Sequence, residues 1–213
     1  MGRNSSSLVI DTLCDQAREE GIAVAGLYCH FFAQQEQTVT NIMGAILKQL
    51  AGRGGTPEYI REAFQEAKKE TEGRGPRLAD LMGLLWIAIA SIPRVFICID
   101  ALNECLPKCL SELLESLRDI LRESSSTRIF LTGRPYVGED VRRYFTKTVV
   151  IPISFHTDDV RNYLQMKLDR DDEPEAMDSI LRADIVRIIP EKMSDMCVGL
   201  VSVSILSMMY TYE

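Results

Sequence analysis

The sequence predicts an α/β fold, in which a mostly parallel sheet is flanked by helices. Residues 22–32 and 94–100 are almost continuous apolar runs of strand length, which are typical of strands covered on both faces. Between such runs lie segments with apolar residues at three-to-four spacing, as in residues 110–123. Alternation of buried strands with amphipathic helices is the pattern of a layered sheet with right-handed crossovers.

The remaining elements follow from the same two periodicities. Helices are expected at residues 5–20, 38–50, 57–72, 78–91, 110–123 and 138–144, and strands at residues 22–32, 94–100, 128–132 and 148–152. Glycine and proline residues interrupt the helical periodicity between several of these segments. We therefore predict an α/β core over residues 1–153.

The pattern changes after Pro152, where the strand-like runs stop. Residues 157–168 and 179–193 have helical periodicity and predict a helical annex. Residues 196–212 contain no charged side chain and several Ser and Thr, so the expectation there is a packed helix or a loose tail. Residues 154–213 are accordingly assigned to a helical annex and an uncertain tail.

Charge and cysteine content exclude several classes of function. The chain has 31 acidic and 24 basic residues, a formal net charge of -7, and no basic cluster interleaved with aromatics, so nucleic acid is not an expected partner. Its six cysteines are scattered, which indicates a reducing, cytoplasmic location. Cys105 and Cys109 lack the further ligands of a zinc site. No apolar stretch reaches the ~20 residues of a membrane span.

One strand carries the pattern of a magnesium site. The apolar run 95–99 ends in Asp100, as in a Walker B strand, where the carboxylate presents an oxygen toward hydrated Mg²⁺. Glu104 follows at a distance suited to polarising a water, and Arg134 follows the next buried strand. Many buried strands end in Asp for turn or capping reasons, so this motif alone leaves both interpretations open.

Four longer segments resemble one known family. Residues 31–35 (FFAQQ), 96–105 (FICIDALNEC), 113–117 (LLESL) and 129–135 (IFLTGRP) are similar to fungal NACHT domains, also described as nephrocystin-like N-terminal modules. These belong to the STAND class of P-loop NTPases, and the resemblance covers residues 8–197. It implies a P-loop NTPase-like sheet and a signalling switch that binds ATP or GTP with Mg²⁺ and hydrolyses it slowly.

The resemblance also implies roles for single residues. Asp100 matches the acid that holds Mg²⁺ through water, and Glu104 matches the acid that positions the hydrolytic water. Arg134 matches the sensor whose guanidinium contacts the γ-phosphate and stabilises its developing charge. Asn103 belongs to the same nucleotide-binding stretch but replaces the usual Asp. An amide keeps hydrogen bonding but supplies neither a base nor a charge, so hydrolysis should be impaired.

The phosphate-binding loop is the largest departure from the family. The pattern G-x-x-x-x-G-K-[ST] occurs nowhere in the 213 residues, so the resemblance implies truncation before or within that loop. The strand that precedes the loop lies in relatives between the arginine strand and the last strand. Its loss should leave a gap unless these neighbours close up.

Two functions therefore stay open at this stage. The first is a signalling switch whose nucleotide binding is defective. The second is a non-enzymatic remnant, or an incomplete gene model, that contacts protein partners or self-associates.

Overall fold

The computed structural model describes residues 5–52, 58, 61–62, 65–66, 76–146, 148–153, 156–170, 177–195 and 200–206. These residues fall into two compact units. One lies within Met1–Ile151 and Val201–Glu213, and the other within Pro152–Leu200. The chain thus leaves the first unit and returns to it for a final strand.

The described residues form helices and strands close to the predicted ones. The helices are α1 (Ser5–Glu20), α2 (Val39–Ala51), α3 (Leu78–Ala90), α4 (Pro107–Glu123), α5 (Val137–Tyr144), α6 (Thr157–Asp169) and α7 (Ser179–Asp195). The strands are β1 (Ile22–Tyr28), β2 (Arg94–Asp100), β3 (Thr127–Gly133), β4 (Thr148–Ile153) and β5 (Leu200–Leu206). The predicted helix over 57–72 lies mostly outside the described residues.

The sheet confirms the predicted fold class. Its strand order is β1-β2-β3-β5-β4. Strands β1, β2 and β3 are parallel, and their register places Tyr28 beside Asp100 and Ile99 beside Leu131. Because the chain runs the same way in all three, their carboxyl ends meet at one edge, where open α/β sheets hold their ligands.

Alternating residues of the strands build a hydrophobic core on each face of this sheet. Ala23, Ile97 and Leu131 belong to the larger cluster, which also contains the buried faces of α2, α3 and α4. Val24 and Cys98 belong to a smaller cluster under α1. A period of two along each strand divides its side chains between the two faces, which explains why the runs contain so few polar residues.

Local side chains fix where two helices begin. Thr38 Oγ1 accepts a hydrogen bond from the Asn41 N–H at 3.2 Å and caps α2, as a threonine before a helix commonly does. Helix α4 starts at Pro107, three residues before the predicted start. Proline suits the first turn because its missing N–H would have no partner there, whereas the apolar periodicity begins only at Leu110.

Strand β1 is shorter than predicted and ends at Tyr28. The prediction of a strand over residues 22–32 is wrong beyond that point, since Phe31–Ala33 form a 3-10 turn. The Gln37 side chain accepts a hydrogen bond from the His30 N–H at 2.8 Å and donates one to the His30 carbonyl at 2.6 Å. These bonds satisfy the His30 backbone locally, so pairing with β2 need not continue.

Part of the C-terminal segment predicted as a packed helix or a loose tail forms strand β5. Leu200–Leu206 pair antiparallel with β3, with Val201 opposite Gly133 and Leu206 opposite Arg128. The expectation of a packed helix or a loose tail is therefore wrong for this segment. Neither an open gap nor direct closure of β3 on β4 is observed, because β5 lies between them. The backbone groups on that side of β3 gain partners from the chain's own tail.

The second unit contains α6 and α7, which pack against each other. Their bounds agree with the predicted helices to within two residues at each end. No helix among the residues that the structure describes is long and apolar enough to cross a membrane.

The outer edge of β1 is covered by one side chain. Gln49, on α2, accepts a hydrogen bond from the Gly26 N–H at 2.9 Å and donates one to the Gly26 carbonyl at 3.0 Å. An uncovered edge strand offers unpaired backbone groups to other chains. The paired amide removes that opportunity at the middle of β1.

We predict that Gln49→Ala lowers the free energy of unfolding by about 1–2 kcal/mol, because both backbone groups of Gly26 lose their partner. Urea unfolding should show a lower midpoint with an unchanged slope. Lys48→Ala, at the neighbouring exposed position of α2, is the matched control and should leave the midpoint unchanged. Equal stability of both variants would contradict the proposed role of Gln49.

Candidate functional site

The candidate site lies at the carboxyl ends of β2 and β3. Asp100 ends β2 and is buried, and Thr132, one residue before the end of β3, is buried beside it. The Thr132 hydroxyl donates a hydrogen bond to Asp100 Oδ1 and accepts one from the Ala101 N–H at 3.1 Å. One hydroxyl therefore fixes both the carboxylate and the backbone that follows it.

Ala101 turns the chain sharply after β2. Its φ of 58° lies in the left-handed region, which costs a residue with a Cβ roughly 1–2 kcal/mol. The turn leads into the 3-10 segment Leu102–Glu104, where the Glu104 N–H donates to the Ala101 carbonyl at 2.9 Å. Such strain persists only where surrounding contacts enforce it, and the Thr132 hydroxyl supplies one of those contacts.

Asn103 uses both ends of its amide. Its Nδ2 donates to Glu104 Oε1 at 2.5 Å, and its Oδ1 accepts from the Arg134 N–H at 3.2 Å. The amide thus joins the Glu104 carboxylate to the backbone at the end of β3. An aspartate at this position could accept from Arg134 but could not donate to Glu104.

Arg134 enters this network through its backbone. Arg134 is an exposed residue. Its carbonyl accepts a hydrogen bond from the Val137 N–H, at the start of α5, at 3.0 Å. The backbone position is therefore defined from both sides, and the side chain is accessible to solvent. An exposed guanidinium at this edge is able to contact a phosphate group.

The loop after β1 is bonded to the segment that carries Asp100 and Glu104. The Cys29 N–H donates to the Asp100 carbonyl at 2.9 Å, and Gln34 Nε2 donates to the Glu104 carbonyl at 2.8 Å. Further along, Cys109 Sγ contacts the Gln37 carbonyl at 2.9 Å. These contacts tie the loop to the segment between β2 and α4.

Two buried thiols belong to these segments, Cys29 in the loop and Cys105 directly after Glu104. Cys29 Sγ and Cys105 Sγ are 3.3 Å apart and share a hydrogen bond, which raises the pKa of Cys29 and lowers that of Cys105. Burial by itself raises the pKa of both thiols, because desolvation disfavours the charged thiolate. Burial also raises the pKa of the partly exposed Cys109 to about 11.

A small cavity adjoins the end of β3. Leu102, Thr132, Gly133 and Val137 are among the residues that line it, and its volume is about 10 Å³. That volume admits about one water molecule. Among the described residues, no three Cys, His, Asp or Glu side chains form a cluster suited to a metal ion.

The structure brings the four predicted site residues to one edge. Asp100, Asn103 and Glu104 follow one another around the Ala101 turn, and Arg134 meets them through Asn103. Their catalytic and binding roles stay predictions. Thr132 had no predicted role, although a polar residue near the end of a buried strand beside the Asp100 strand is a usable signal.

Gln34 was also missed as a positioning residue. It lies within the FFAQQ segment, but nothing in local spacing connects it with Glu104, seventy residues away. Only the fold brings the two together. Cys29 and Cys105 are hidden from sequence reasoning for the same reason.

Comparison with known families gives one match. A sequence model of the family described as Nephrocystin 3, N-terminal, matches residues 5–134, which is more than half of the chain. The matched range runs from α1 to Arg134 and includes all four predicted site residues. Comparisons with curated proteins and with solved structures gave no significant match.

We predict that Asn103→Asp destabilises the fold by about 1–2 kcal/mol at neutral pH, because the donor to Glu104 is replaced by a second carboxylate. Denaturant unfolding at neutral pH is the measurement.

Asn103→Ala is the matched control for that experiment. It removes both hydrogen bonds without adding a charge, so it isolates the part of the loss that does not come from repulsion between two carboxylates. Wild-type stability of Asn103→Asp at neutral pH would contradict the bridging role of Asn103.

Proposed function

The chain belongs to the Nephrocystin 3 N-terminal family, and from this premise we propose that it is a NACHT-type signalling module whose own nucleotide binding is weak or absent. The observation that carries the proposal is the shared edge of β2 and β3. We call the half of this edge with Asp100 and Glu104 the magnesium side, and the half beyond β3, which β5 occupies, the phosphate side. Each half supports one part of the proposal.

The magnesium side consists of Asp100 and its partners. Magnesium in nucleotide sites usually keeps several waters and takes one or two carboxylates together with phosphate oxygens. Asp100 fits this requirement, because it places a carboxylate, oriented by Thr132, at the carboxyl edge of the sheet. Bound there through water, the ion would supply charge neutralisation for phosphate oxygens. Glu104 is suited to orient a water, and the Arg134 guanidinium to contact a terminal phosphate.

The phosphate side lacks the usual anchor. Phosphate-binding loops leave the carboxyl end of a strand and enter a helix whose N–H groups point at the phosphate. Beside β3 the chain instead enters β5 at this edge, with Val201 opposite Gly133, and then runs away from it. No G-x-x-x-x-G-K-[ST] lysine exists in the 213 residues to compensate. Weak affinity for ATP or GTP follows from this arrangement.

Asn103 supports a module that does not hydrolyse nucleotide. Its amide is engaged with Glu104 at 2.5 Å, so the Glu104 carboxylate already accepts a hydrogen bond within the protein. The network holds Glu104 in one orientation, and the Asn103 amide, unlike an aspartate, supplies no base beside it.

A second candidate function is a protein-interaction surface. Phe31 and Phe32 are 61% and 90% exposed, and their rings meet edge to face with centroids 5.7 Å apart. Tyr28 adds a third exposed aromatic side chain at the end of β1. Exposed aromatics are enriched at protein interfaces, so a protein partner or a second copy of the chain fits this surface. This function requires no nucleotide.

Equilibrium binding of fluorescent ATP and GTP analogues with Mg²⁺ tests the proposal. We predict no saturable binding in the submillimolar range, because the triphosphate has no backbone cradle. Asp100→Asn preserves the shape of the side chain and should bind no less than the wild type.

The outcome that would overturn the proposal is equally specific. Submillimolar binding that disappears in Asp100→Asn, and weakens in Arg134→Ala, would identify a working nucleotide site. Circular dichroism of both variants ensures that lost binding is not lost folding. Absence of binding in all three proteins is the result that the proposal predicts.

A further inference from the structure

The side chains of Cys29 and Cys105 come from two distant parts of the sequence and are in contact. Cys29 and Cys105 are separated by 76 positions, yet their Sγ atoms are 3.3 Å apart. Cys29 follows β1, and Cys105 follows the 3-10 segment that contains Asn103 and Glu104. Both residues are buried, with exposures of 8% and 7%. The fold alone produces this proximity.

Their surroundings hold the two sulfurs in place. The Cys29 N–H is bonded to the Asp100 carbonyl, and Gln34 is bonded to the Glu104 carbonyl. The two backbone segments are thus fixed on either side of the thiol pair. A disulfide needs a sulfur–sulfur separation of about 2.0 Å, so closure requires a movement of only about 1 Å shared between two side chains.

The other cysteines nearby are placed differently from this pair. Cys98 lies in the hydrophobic cluster under α1, whereas Cys29 and Cys105 belong to the cluster on the other face of the sheet. Cys109 is close enough to interact electrostatically with both thiols, but its Sγ contacts the Gln37 carbonyl. The 3.3 Å separation of the two Sγ atoms therefore favours the pairing of Cys29 with Cys105.

We propose that Cys29 and Cys105 form an oxidative modification site, at which a peroxide or a small-molecule disulfide converts the two thiols into a reversible disulfide. With hydrogen peroxide, one sulfur attacks the peroxide, the O–O bond breaks, and a sulfenic acid and water form. The second thiol then attacks the sulfenic sulfur, the S–S bond forms, and a second water leaves. Two electrons pass to the peroxide, and both thiol hydrogens end in water.

The disulfide would restrain the candidate site. It joins the loop after β1 to the residue that directly follows Glu104, where Gln34 already provides a weaker connection. In reducing compartments protein disulfides are usually transient and redox-sensing, which suits a link that thiols can reverse. The site acts independently of nucleotide binding, so it does not depend on the function proposed above.

Peptide mapping of the full chain tests this proposal. The reduced, folded protein is treated with hydrogen peroxide or oxidised glutathione, blocked with N-ethylmaleimide and digested with trypsin. We expect peptide 19–48 linked to peptide 95–108, with fragment ions that place the bond at Cys105 rather than Cys98. Dithiothreitol should release both peptides. The same treatment in guanidinium chloride should give a mixture of links, since the folded geometry is lost.

Matched variants separate this site from general thiol oxidation. Cys29→Ser and Cys105→Ser should each abolish the link, whereas Cys109→Ser should keep it. Recovery of Cys29 and Cys105 as alkylated or over-oxidised residues, without a link in the folded chain, would overturn the proposal. So would a dominant link from Cys29 to Cys98. The wild-type experiment decides even if a serine variant fails to fold.

Discussion

The hydrogen-bonding requirement of β3 is the constraint on which the rest of this structure depends. Strand β3 carries Thr132 and Gly133 to the candidate site, and β2 satisfies its backbone on one side only. An interior strand with an unpaired side either attracts another chain or loses its place in the fold. Here β5 supplies the partner, and β4 follows on the far side of β5. The site geometry therefore relies on a segment whose paired residues lie 68 to 78 positions further along the chain.

From that fixed strand the candidate site follows in short steps. A positioned Thr132 holds Asp100 and the Ala101 N–H, which stabilises the left-handed turn. The turn in turn presents Asn103, whose amide joins Glu104 to the backbone of Arg134. Completing the sheet with an antiparallel strand preserves this network at the ends of β2 and β3. Beside Gly133 the described chain begins β5 at this edge and runs away from it.

Local patterns predicted the parts of the fold that local physics determines. The bounds of α1 and β2 agree with the sequence prediction, because apolar periodicity, Gly21 and Asp100 mark their ends. The predicted β1 is too long, because the aromatic residues after Tyr28 resemble a strand. In the structure, the Gln37 side chain forms hydrogen bonds with both backbone groups of His30 instead. The two site acids, Asp100 and Glu104, and the amide of Asn103 were found from one contiguous motif. Thr132 and Gln34 needed the three-dimensional register, which a single sequence does not provide.

Strand β5 is the element that sequence reasoning could least foresee. A charge-free stretch with interspersed serines is compatible with several secondary structures. Pairing with the distant strand β3 determines that it forms a strand. Hydrogen exchange measured by mass spectrometry tests this claim most directly. If β5 pairs with β3, amides of residues 200–206 exchange at least about 100-fold more slowly than unstructured peptide, with matching protection in residues 127–133. Exchange of residues 200–206 at the rate of an unstructured peptide, in a protein whose β1 and β2 remain protected, would contradict it.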